Sequence, residues 1–472
     1  MSFLIYDIIL LGLFLLFISL FLYFKRDNLK REGLLFLYRT KWGIRLINEI
    51  GKKYQRTLKI LSYISITLGY LLMAGMIYLF GKIVLIYAFN STLVKAIKIP
   101  PIVPLVPYLP EIFKIDFLPP FYFIYWIIIL AVIAITHEFS HGIFAVYNKI
   151  KVKTTGFGFF PFFLPIFLAA FVELDEKKMS KKNKFQQLSI LSAGTFANVI
   201  TAILFFLILL GFFAVAFTPS GVIYDSYSYS IIPVAGITMI NNISVSNPNA
   251  NQIIPLIENG SNNKINADGI NYVGIKEFSG DNQFVALYDD APAINAKLNA
   301  IILEINGKKI TNIESFRNEI AKYSPGDQIT LITKGDEMQE KDVVLGKNPQ
   351  NESLPFLGIA FIERGSQSFS GKIMSEFSSF QKPHIYYEPK FGGISLFVYD
   401  LLWWLILISI SVALVNMLPM AMFDGGRFFY LTILAITKKE KIAKKTFSVV
   451  SSLLLLLVLV IILLWVFQSF FW

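Results

Sequence analysis

Six apolar stretches, near residues 3–24, 58–89, 121–147, 185–217, 396–420 and 447–471, are each long enough to cross a bilayer. Backbone polar groups inside hydrocarbon must bond to one another, so such stretches are expected to be helices. Only 16% of the chain is charged, against about a quarter in an ordinary soluble domain. The first stretch carries Asp7 as its one charge and has no basic leader. It reads as a retained helix, not a signal peptide. Residues 156–172 are also apolar but hold two glycines and two prolines. That pattern suits a re-entrant or β-hairpin element packed inside protein better than a straight span.

The fold class that follows is a polytopic α-helical membrane protein with about six transmembrane helices, a re-entrant hairpin and an inserted polar region. The net charge of +11 is concentrated in clusters at 25–56, 149–153, 177–184 and 438–445. Beside apolar runs, such clusters point to membrane topology before nucleic acid. Placing them all in the cytoplasm puts both termini and residues 218–395 outside. Four Asn-x-Ser/Thr sequons, at Asn90, Asn242, Asn259 and Asn351, then fall on the outside too. Residues 218–395 carry short β-rich runs broken by Asn, Gly, Asp and Ser, as in a soluble domain.

There are no cysteines and three histidines, His137, His141 and His384. Cysteine-ligated metals and disulfides are therefore excluded. The segment AVIAITHEFSHGIFAVY sets His137 and His141 one helical turn apart on one face inside an apolar stretch. Two imidazoles so placed can share a zinc ion, and Glu138 can act on water at the metal. Ionisable groups at membrane depth are costly and are kept for a partner or a task. At ~1.5 Å per residue the site would lie on the order of 10–15 Å inside the cytoplasmic edge. A catalytic zinc site needs a third ligand, and Asp424 in NMLPMAMFDGGRFFY is the candidate. Pro419 breaks the helix before it, and Gly425 and Gly426 permit a sharp turn. His384 reads as a loop residue.

HEFSH at 137–141 and N-x-x-P-x-x-x-x-D-G-G at 416–426 together resemble the two signatures of the site-2 protease family of intramembrane zinc metalloproteases. LSAGTFANVI, with Gly194 and Asn198, is similar to the family's Gly-x-x-x-Asn helix, and FVELDEKKMSKKNKF to its lead-in. These matches cover roughly 121–217 and 396–437, in the family's order. Phe423 stands where the family usually has Leu, one apolar residue for another.

The resemblance implies one zinc per chain on His137, His141 and Asp424, with Glu138 as general base. It implies that Asn198, with Asn416, bonds the substrate backbone or the developing oxyanion, although asparagines on membrane helices also serve as interhelical glue. The catalytic core would comprise 121–217 and 396–472, with 1–90 as added helices and a basic loop. Gly194, Gly156 and Phe157 are further substrate-binding candidates, because 156–173 could present an edge strand to an unwound helix. Residues 285–361 resemble a PDZ domain. Within it PFLGIAF, with Leu357 and Gly358, would take peptide termini. The partners implied are membrane proteins with a transmembrane helix, in the cell membrane. Three other readings remain: a non-catalytic scaffold or receptor of the same fold, an ion-conducting transporter, and a membrane-anchored zincin with a soluble-facing site.

Overall fold

The computed structural model describes residues 3–32, 35–90, 94, 105–115, 118–159, 168–258, 263–362 and 380–470. The hairpin tip with Pro161 and Pro165, and the Asn259 sequon, lie outside them. The chain forms two compact units, one of residues 1–212 with 396–472 and one of Phe213–Ser395.

Among the described residues of the first unit, six helices are long and apolar enough to cross a membrane. They are α1 (Phe3–Phe24), α3 (Gln55–Phe89), α4 (Phe123–Tyr147), α5 (Lys184–Ala216, whose last turn belongs to the second unit), α6 (Gly393–Asn416) and α8 (Glu440–Phe470). Exposed leucines on α8, among them Leu455, Leu456, Leu459 and Leu463, fit a lipid-facing surface. The interior is closed by small residues. At Gly69 of α3 a β-carbon would sit 3.2 Å from Met417 and Ser192, and the Ser65 and Ser192 hydroxyls bond across the same contact.

Residues 1–90, which lie outside the matched motifs, belong to this unit. Asp7 of α1 is buried and accepts from the Phe123 and Ile124 amides at 2.6 and 3.0 Å and from the Tyr108 hydroxyl at 2.6 Å. It thereby caps the start of α4, whose own N-cap residue makes no side-chain bond. The basic stretch 25–56 is not a plain loop. It holds β1 (Leu29–Glu32), β2 (Leu35–Thr40) and α2 (Ile44–Lys53). With β3 (Val152–Phe159) and β4 (Leu168–Leu174) the strands form one sheet, ordered β1-β2-β3-β4. The 156–172 segment does make a strand pair, but β3 is an inner strand. Gly156 pairs with Arg39 on one side and Phe171 on the other.

Between α6 and α7 (Asp424–Thr437) the chain turns through Met417–Phe423. Gly425 and Gly426 lie within the first turn of α7 and not at a left-handed corner. Their missing β-carbons are what let α7 press on the backbone of Met417, Leu418 and Met420.

The described residues of the second unit hold two six-stranded sheets, one of which includes the short strand Lys308–Lys309 paired to Ile301–Ile305, and two short strand pairs. One sheet runs Met338–Val344, Gln328–Lys334, Ile301–Ile305, Phe217–Ile223, Ile385–Pro389, and is packed by the helix Ile313–Ile320. Two strands of this sheet, Phe217–Ile223 and Ile385–Pro389, come from outside residues 285–361. The other sheet runs Tyr229–Pro233, Phe284–Asp289, Ile270–Ser279, Lys264–Ala267, Ile237–Ile240, Ile243–Ser244. It has its own core of Ile237, Ile240, Ile253, Ile265, Val285 and Leu287.

Candidate metal centre

The i, i+4 spacing on α4 turns His137 and His141 toward α5 and the start of α7. Their Nε2 atoms lie 3.1 Å apart, and Asp424 Oδ2 is 3.3 Å from the first and 3.1 Å from the second. The His141 Nδ1–H donates to the Ile190 carbonyl at 2.7 Å, which leaves its Nε2 a lone pair. Asn198 of α5 meets the Nδ1 of His137 at 3.0 Å, and its Oδ1 has no partner as the amide is drawn. The two amide ends are interchangeable by rotation. With the oxygen toward His137, Nδ1–H donates to it, the orphan oxygen is satisfied, and His137 also presents a bare Nε2.

Three acceptor atoms thus converge with no donor between them, which calls for a cation. Metal bonds of ~2.0–2.1 Å at tetrahedral angles place donor atoms about 3.3 Å apart, and the observed separations fit. Two neutral imidazoles and one carboxylate are a donor set that fits zinc. Gly194 supplies the clearance, because a β-carbon there would collide with the Nε2 atoms of both histidines.

A cleft of about 330 Å³ opens on this group, lined by His137, Glu138, Ala170, Asn416, Phe423 and Asp424 among others. Glu138 Oε2 accepts from the Val172 amide of β4 at 3.0 Å. The carboxylate is thereby held beside the two histidines while its other oxygen remains available.

Several expected site residues are placed differently. Asn198 is fully buried, and its amide meets the Nδ1 of His137 and orients that ring. Asn416 lines the cleft. Gly194 backs the histidines and does not line the cleft. At Gly156 the neighbouring strands crowd the backbone; a β-carbon would strike the Tyr38 carbonyl and the Phe171 ring. With Phe157 it lies on a strand paired on both sides, so neither offers an open edge. The end of the sheet is β4, whose Ala170 lines the cleft. Leu357 packs into the core of its unit and its carbonyl accepts from the Ala293 amide at 2.8 Å. Gly358 takes φ +86° with no room for a β-carbon against Ala291. His384 pairs with Asp225 at 3.2 Å in the second unit. The residues missed from sequence, Ile190, Val172 and Asp7, act through a carbonyl, an amide and a lone acid in an apolar run. Only the last left a signal.

Residues 125–461 match the family model described as Peptidase family M50. An uncharacterised protein of Methanocaldococcus jannaschii is 34% identical over 191 residues, covering 39% of this chain and 46% of the relative. The chain thus spans about half the length of the curated relative it matches.

Proposed function

This chain belongs to peptidase family M50, and on that premise we propose that it is an intramembrane zinc metalloprotease of the site-2 type. Its substrates would be membrane proteins cut within or near a transmembrane helix. The observation that carries the reading is the convergence of His137, His141 and Asp424 beside Glu138, in a cleft among helices of spanning length.

His137, His141 and Asp424 would hold the metal, which when bound supplies Lewis acidity to polarise a carbonyl and ease deprotonation of water. Glu138, fixed through Oε2 by Val172, would take the proton of the attacking water on its other oxygen and return it to the leaving amine. Asn198 keeps the His137 ring in register. Asn416 would bond the substrate backbone. A helix hides its peptide bonds, so the substrate must be drawn out locally. The outer edge of β4, next to Glu138, would accept it as a short added strand. The PDZ-like part of the second unit would take peptide termini by the same mode.

The test is cleavage of a tagged single-span substrate by the full chain in liposomes, comparing wild type with Glu138→Gln and measuring zinc in both. The expected outcome is cutting by wild type alone, with about one zinc per chain in both samples. Zinc without cutting across helix-destabilised substrates would favour a non-catalytic scaffold. Carefully prepared wild type without zinc would refute the ligand assignment.

A further inference from the structure

The cleft at the metal ligands follows one face of two helices. On α4 its lining runs from Leu130 to Glu138, and on α6 from Ile408 to Asn416. Each row begins two turns before the metal-binding end. At ~1.5 Å per residue this makes a trough of about 10–12 Å. Between its ends the lining is apolar, with Ile133, Ala134 and Val412.

The far end of the trough is crossed by the chain that precedes α4. One turn beyond Leu130, the Trp126 indole N–H donates to the Leu105 carbonyl at 2.9 Å. One turn beyond Ile408, the Trp404 indole N–H donates to the Pro120 carbonyl at 3.1 Å. The segment between these carbonyls is closed on itself, because the Tyr108 amide donates to the Phe121 carbonyl at 2.7 Å. It is also held to α1 by the Tyr108 hydroxyl on Asp7. Tyr108 keeps φ +63°, a conformation that a bulky residue holds only where its surroundings enforce it. The segment is therefore a strap fastened to three helices. Of its described residues, Leu105 is the one that lines the cleft.

We propose that Leu105 is a specificity-determining residue, bounding the subsite for the substrate side chain about three residues from the cut bond and admitting only a small one there. This rests on the protease reading above. An extended strand advances ~3.3 Å per residue, so the trough takes about three residues between the metal and the strap. The Leu105 backbone is fixed through its carbonyl, so a bulky substrate side chain meets a wall that does not swing aside. The substrate class selected is a span whose unwound part is apolar along the trough and small at its end.

The test is cleavage by the full chain in liposomes of a single-span substrate with alanines on both sides of the cut bond. Phe replaces Ala at one position at a time, and mass spectrometry of the products checks where the cut falls. For each enzyme, kcat/KM on each Phe substrate is taken relative to its own all-alanine parent. Wild type should lose at least about tenfold with Phe at one position, about three residues from the cut. Leu105→Ala should recover most of that loss and leave the ratios at other positions alone. Leu105→Phe should extend the loss to a substrate with Val at the same position. Zinc content and thermal unfolding of both variants check that the site and fold persist. The proposal is overturned if wild type tolerates Phe at every position, if the loss survives Leu105→Ala, or if that variant relieves all positions alike. The last result would make the strap a general packing element. Failure of wild type to cut even the all-alanine parent would instead sink the protease reading, and this subsite with it.

Discussion

At Gly194 the lack of a side chain is itself part of the metal centre. Its hydrogen leaves the space into which the Nε2 atoms of His137 and His141 project. Gly194→Ala replaces that space with a methyl group. Alanine favours the helix by about 1 kcal/mol, so α5 should persist while the histidines are pushed from their common point. The expected outcome is a properly folded protein whose zinc content, by elemental mass spectrometry, falls well below wild type. Full zinc occupancy in that variant would mean that the ligands are not these atoms. The histidines, Glu138 and Asp424 were legible because their chemistry is written in spacing, one helical turn on α4 and a broken helix before α7. The two asparagines were not. Asn198 and Asn416 each lie on a membrane helix, and which one faces the cleft depends on how each helix is rotated. That rotation is set by packing of residues such as Ile190 and Met417, which no local motif records.

The ligand helix α4 is held at both ends by elements that precede it, and its stability should show this. Asp7 satisfies two of the first backbone amides of α4 and the Tyr108 hydroxyl in a buried setting. Asp7→Leu strands three donors, each costing about 1–3 kcal/mol when buried. The net loss expected is about 2–4 kcal/mol after local relaxation, read as earlier unfolding in mixed micelles. Ile9→Ala, on an exposed position of the same helix, should change little, and equal effects would remove the capping role. A lone acid in an apolar run was visible in the sequence, but its partner 116 residues away was not. The same limit applied to β3. Its strand character was legible, whereas pairing with β2 depends on a segment whose lysines and arginines conceal the LFLYRT strand.

In the second unit the buried Glu319 on helix Ile313–Ile320 receives Lys308 at 2.6 Å and Lys322 at 2.7 Å. Hydrogen bonds first from Lys308 and then from Lys322 hold its carboxyl below the usual glutamate range. A depressed carboxyl contributes stability above its unfolded pKa and loses it as pH falls through the folded value. Amide exchange of this helix in the full chain should therefore be pH-independent in protection near neutrality and weaken in acid. In Glu319→Gln the acid-dependent part should vanish. A wild-type helix equally protected throughout would show that the two lysines add nothing.

At the scale of the whole chain, the division into a membrane unit and a polar one was legible because composition changes abruptly. The polar stretch of 218–395 lies within the compact unit Phe213–Ser395. The second sheet inside that unit was not, since its strands are short, Asn-rich and ordered out of sequence. Which side of the membrane the unit occupies is an electrostatic question. The clusters at 149–153, 177–184 and 438–445 are dense in lysine, and such segments are retained in the cytoplasm. The absence of cysteine gives a direct probe, because any introduced thiol is the sole label site. Asn351→Cys, at the exposed start of the strand Asn351–Phe356 in the second unit, should react with a membrane-impermeant maleimide on intact cells. Lys181→Cys, exposed in the basic segment before α5, should react only after permeabilisation. The reverse pattern would invert the topology. It would place the basic clusters outside, and the cleft's depth would then have to be counted from the other face.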